Sequence, residues 1–85
     1  MEFPIFRKYN NNKSYFRIDN ASSLTEVQRI GKYYVIHTLE AKILPERIMI
    51  DDLINLMSVG VEKVAREEYD LFLEYCRNEL VERNV

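Results

Sequence analysis

Gly31-Lys32 stands between two runs of strand-forming residues, Leu24 to Ile30 and Tyr33 to Lys42. A two-residue connection with glycine first fits a type II′ turn, whose twist matches that of the strands it joins. The pairing that follows sets Ile30 against Tyr33, Gln28 against Val35, Glu26 against His37 and Leu24 against Leu39. Val27 with Ile36, Arg29 with Tyr34 and Thr25 with Thr38 occupy the other face. Neither face is wholly apolar or wholly polar. One face is therefore expected to carry helices and the other to be partly covered or paired.

A second hairpin precedes it. Ile5 to Tyr9 and Ser14 to Ile18 are rich in aromatic and β-branched residues and flank Asn10-Asn11-Asn12-Lys13. Asparagine tolerates the left-handed backbone of tight turns, so Asn11-Asn12 serves as the turn. Tyr9 then faces Ser14, Arg7 faces Phe16 and Ile5 faces Ile18, while Phe6–Arg17 and Lys8–Tyr15 form the opposite face. Asn20-Ala21-Ser22-Ser23 reads as the loop between the hairpins.

The second half changes period. Pro45 fits a first helical turn, and Ile50, Leu53, Ile54 and Met57 recur as one stripe, with Gly60 as the stop. Val59 to Val64 suits either a short strand or the opening of the next helix, and the strand is preferred. The last helix has Tyr69, Phe72, Leu73, Cys76 and Leu80 on one stripe, with the acids Glu67, Glu68 and Asp70 near its positive end. The expected fold is α+β: a small antiparallel sheet of four to five strands, with two helices packed on one face.

At 85 residues the chain forms one domain, 1–85, with little surplus for a deep cleft. The longest run without a charged residue, Leu53 to Val61, falls far short of the roughly 20 apolar residues of a membrane helix. The N-terminus lacks the apolar core of a signal peptide, and a single cysteine excludes an internal disulfide framework. A cytoplasmic location is expected. The net charge of −2 argues against a constitutive polyanion binder. Residues 1–42 hold seven Lys/Arg against four Asp/Glu, and residues 43–85 hold five against ten, so the two halves carry opposite charge.

Residue types that carry chemistry are scarce. His37 is the only histidine, which rules out a His-based metal site and leaves only a cross-strand pair with Glu26. Cys76 lies on an apolar stripe among acidic neighbours, the setting of an inert buried thiol. Asp51-Asp52 and Glu67-Glu68 are adjacent in sequence, hence about 100° apart on a helix, and do not converge. Gly31 and Gly60 are the only glycines, so a phosphate-cradling loop is absent. No cofactor and no catalysis are expected.

The run Phe6 to Ile18, with Gly31-Lys32-Tyr33-Tyr34 and Ile43-Leu44-Pro45-Glu46-Arg47, resembles small uncharacterised bacterial single-domain proteins of about this length. The resemblance implies no activity and no residues to carry over. Six tyrosines and four phenylalanines exceed what one thin core needs. The expected function is a non-catalytic protein-interaction module whose partner is a second copy, as a homodimer, or an unidentified protein, met through a face carrying Phe6, Lys8, Tyr15, Arg17, Tyr34 and Ile36. The alternative is single-stranded nucleic-acid binding through the first hairpin, where Phe6 and Tyr15 would stack bases and Lys8 and Arg17 would contact phosphates.

Overall fold

A computed structural model describes residues 2–83. Four strands form an antiparallel meander: β1 (Ile5–Tyr9), β2 (Ser14–Asn20), β3 (Ser23–Ile30) and β4 (Tyr33–Glu40). Both hairpins have the expected register, from Ile5↔Ile18 to Lys8↔Tyr15 and from Leu24↔Leu39 to Ile30↔Tyr33. The turns use the conformations that their residues favour: Asn12 and Gly31 have φ of 60° and 61°. The expected four-residue loop after β2 contracts to Ala21-Ser22, because the Asn20 side chain accepts a bond from the Ser22 N–H at 2.8 Å. That tight turn lets β3 pair directly with β2.

After the meander come α1 (Leu44–Ile54), β5 (Val61–Lys63), α2 (Arg66–Glu79) and β6 (Val81–Glu82). Among the described residues the sheet is mixed and six-stranded, in the order β5-β1-β2-β3-β4-β6. β5 adds antiparallel to β1, so Val59 to Val64 does contain the short strand. β6 adds parallel to β4, which corrects the expected all-antiparallel sheet of four to five strands. Two residues, Val81 and Glu82, are too few to show any period in a sequence.

The helices lie on opposite faces, not on one. α1 buries Ile50, Leu53 and Ile54 against Ile5, Phe16, Ile18 and Leu24. α2 buries Tyr69 and Cys76 against Phe6, Tyr15, Val27 and Tyr34 on the reverse side. Alternation within each strand explains this: Tyr15 and Phe16 are neighbours in β2 and serve different cores. The connections require it too. The chain leaves β4, crosses one face as α1 to reach β5 beside β1, and returns across the other as α2 to reach β6 beside β4. With each fully buried large side chain contributing roughly 1.5–3 kcal/mol, covering both faces gives a short chain two cores.

The end of α1 also differs from expectation. The helix stops at Ile54, ahead of Gly60, and Leu56 takes the left-handed conformation at φ 57°. Met57, expected on the buried stripe, is exposed. Gly60, at φ 81°, instead turns the chain into β5, and its oxygen accepts from the Asn10 N–H at 2.7 Å.

Candidate functional site

The face predicted for interaction is the face that α2 covers. Phe6, Tyr15 and Tyr34 are 9, 5 and 4% exposed. Tyr15 stacks on Phe72 with centroids 4.0 Å apart, and Phe6 tilts against Tyr69 at 5.1 Å. Ile36 is half-buried against the same cluster. Lys8 donates to Glu68 at 2.9 Å, and the Tyr15 hydroxyl donates to the same carboxylate oxygen at 3.2 Å. Arg17 is turned aside to Asp19 at 2.9 Å. Lys8 and the aromatic rings thus fasten a helix to the sheet, and the rings are not open to bases.

The electrostatics of this seam follow from its contacts. The hydrogen bond from Lys8 holds the Glu68 carboxyl below its usual value and raises the lysine. Burial raises the Tyr15 hydroxyl, and it raises that of Tyr34, which donates to Glu82 at 3.1 Å. Cys76 is fully buried, and burial raises its thiol, as expected for an inert cysteine. Glu26 and His37 are the direct cross-strand neighbours that the turn implied, with no hydrogen bond between their side chains. Among the described residues no group of three or more His, Cys, Asp or Glu converges as for a metal ion. No described helix is long and apolar enough to cross a membrane.

The surface that the sequence reading missed is the outer side of α1. Of the helix's residues LPERIMIDDLI, only Glu46, Arg47, Asp51 and Asp52 are charged, and the apolar ones spread beyond one stripe. Ile50, Leu53 and Ile54 face the sheet, while Leu44 and Ile48, one turn apart, are 67 and 49% exposed. Ile43 and Met49 add exposed apolar surface beside them. A shallow groove of about 320 Å³ runs along this side, lined by Leu44, Arg47, Ile48 and Asp51 of the helix and by Ala21 and Ser22 of the β2–β3 turn. The signal was present: Ile43-Leu44 and Ile48-Met49 lie off the Ile50–Leu53–Ile54 stripe, and a helix apolar on more than one side is normally buried on more than one side.

No family model matches this chain, and neither a curated protein nor a solved structure is significantly similar to it.

Proposed function

We propose that the chain is a non-catalytic protein-interaction module that associates with a second copy of itself. One observation carries this reading: α1 is buried against the sheet on one side and presents Leu44, Ile48, Ile43 and Met49 to solvent on others. Exposed apolar patches of this kind mark interaction surfaces, because covering them removes apolar area from water at roughly 25 cal/mol per Å². A copy of the same chain is the partner with the strongest prior, since closed twofold dimers are the commonest soluble assembly. A cytoplasmic setting fits the lone, reduced, buried Cys76.

Light scattering across a dilution series at moderate salt tests the proposal. The mass should rise toward twice the chain's 10.2 kDa at high concentration, and Ile48→Glu should hold it at the monomer value. A wild-type monomer at every concentration overturns the reading.

A further inference from the structure

Self-association leaves open which atoms meet, and α1 supplies an answer, one that rests on the functional reading above. Leu44, Arg47, Ile48 and Asp51 sit at positions i, i+3, i+4 and i+7 of the helix. Four residues so spaced surround a hollow that can receive one side chain from a facing helix. Here the hollow is the wall of the groove, and all four of its residues are substantially exposed. The other wall is Ala21 and Ser22, whose small side chains leave room for a second backbone to approach.

The charges in the hollow are opposite and unused. Arg47 and Asp51 are spaced one turn apart, yet among the described residues the ion pairs are Lys8–Glu68 and Arg17–Asp19, and neither Arg47 nor Asp51 takes part in one. A basic residue four positions before an acidic one is the weaker order for pairing along a single helix. Both groups are free to pair outward.

We infer that two copies dock through α1 in antiparallel fashion across a twofold axis near Ile48, with Arg47 of each copy paired to Asp51 of the other. With the axis at Ile48, Arg47 and the Asp51 of the second copy differ by two residues in level, about 3 Å at a rise of 1.5 Å per residue. A flexible arginine spans that offset. Ile48 of each copy enters the hollow of the other, flanked by the two reciprocal ion pairs. Antiparallel packing also sets each helix N-terminus toward the other's C-terminus, so the helix dipoles attract. A parallel arrangement would set Arg47 against Arg47 and Asp51 against Asp51. The surface complements itself in one orientation and opposes itself in the other. That is why a second copy, rather than an unrelated apolar partner, is the occupant this face fits.

Charge reversal tests the arrangement. Arg47 and Asp51 are exposed, so R47D and D51R should leave the far-ultraviolet circular dichroism unchanged. R47D alone sets four acids at the twofold contact and D51R alone sets four bases. Each should weaken self-association at least about tenfold. Mixed in equal amounts, the two variants should form a heterodimer at least as tightly as the wild type associates, because both cross-pairs become attractive. A wild-type dimer whose mass ignores both reversals, or a mixture as weak as either variant alone, overturns this arrangement and leaves self-association standing. A wild-type chain that is monomeric at every concentration overturns the functional reading and this arrangement with it.

Discussion

Arg7 of β1 donates from Nε to the main-chain oxygen of Leu53 at 3.0 Å, and its Nη2 reaches the oxygen of Ile54 at 2.8 Å. These are the last carbonyls of α1, which have no partner within the helix. The third arm, Nη1, donates to the Phe6 oxygen at 2.9 Å, so the planar fork is held on three sides. A guanidinium here also sits at the negative end of the helix dipole. Partial burial lowers its affinity for the proton, though an arginine remains charged throughout the working pH range. One strand residue therefore caps the end of the helix.

Arg7→Ala should destabilise the protein by about 2–3 kcal/mol, since it leaves charge-assisted bonds unmade, the Ile54 carbonyl without its partner and the Leu53 carbonyl with only the long bond from Leu56 N–H at 3.4 Å. Arg7→Lys keeps the charge but not the fork and should recover less than half of that loss. Urea denaturation of the three proteins measures both effects. An alanine variant as stable as the wild type would mean that the carbonyls are solvated and the cap contributes nothing.

The Lys8–Glu68 contact makes α2 docking sensitive to acid. The pair holds the Glu68 carboxyl below its ordinary value of 4.5, first through the hydrogen bond from Lys8. A depressed carboxylate binds its proton more weakly folded than unfolded, so it contributes stability above its unfolded value. That contribution falls away as pH drops through 4.5 toward the folded value. Glu68→Gln cannot show this component. Thermal denaturation from pH 7 to pH 3 should therefore show a smaller acid loss in the variant than in the wild type. Because the Glu68 carboxylate is half exposed, the difference should also shrink as salt is added. Identical acid losses would show that other carboxylates carry the whole effect.

How far the fold could be read from sequence depends on the range of the forces involved. The two hairpins are legible because Gly31 and Asn12 answer a local demand for positive φ, and each turn sets the cross-strand pairs of its own hairpin, while the β2–β3 pairs between the hairpins depend on the tighter Ala21-Ser22 turn. The stripe of α2 was legible because Tyr69, Phe72, Leu73 and Cys76 repeat at a helical period. The side of the sheet that each helix covers was not, since it depends on β5 and β6 joining opposite edges. Those strands have three and two residues, and their pairing is decided by long-range docking. The misplaced interaction face follows from this: Phe6, Tyr15 and Tyr34 are spare only in a fold whose two helices share the other face of the sheet. The outer face of α1 was missed for a different reason. The Ile50–Leu53–Ile54 stripe alone satisfies the burial a helix needs, so a periodicity argument assigns no role to Leu44, Ile48 and Met49.

The two glycines offer a test in which packing has little part. A Cβ at Gly31 would meet nothing within 4 Å, and one at Gly60 would lie 3.5 Å from Asn10 Oδ1, an ordinary contact. Both residues nonetheless hold φ values, 61° and 81°, that an alanine rarely adopts. Gly31→Ala and Gly60→Ala should each cost about 1–2 kcal/mol, almost wholly as backbone strain. Equilibrium denaturation gives the values. A loss well above this range at Gly60 would show that the loop behind it cannot shift to admit a methyl group.

The free edge of β4 provides the last prediction and separates two ways in which the chain could self-associate. The Tyr34 oxygen accepts from Arg83 N–H at 2.9 Å, which shows that Tyr34 turns its backbone away from β3 and toward β6. Backbone direction alternates along a strand, so Ile36, Thr38 and Glu40 turn outward as well, while Val35, His37 and Leu39 bond to β3. β6 pairs only with Tyr33 and Tyr34. Among the described residues the outward N–H groups of Thr38 and Glu40 have no backbone partner. In dilute solution these two amides should exchange with deuterium far faster than those of Val35, His37 and Leu39, a contrast that residue-resolved NMR can read directly. If copies meet through α1, the contrast should persist at concentrations where the dimer dominates. Strand addition at the edge would instead bring Thr38 and Glu40 into a new ladder and slow them as concentration rises. Slowing of those two amides, with Leu44 and Ile48 unperturbed, would place the contact on the sheet edge.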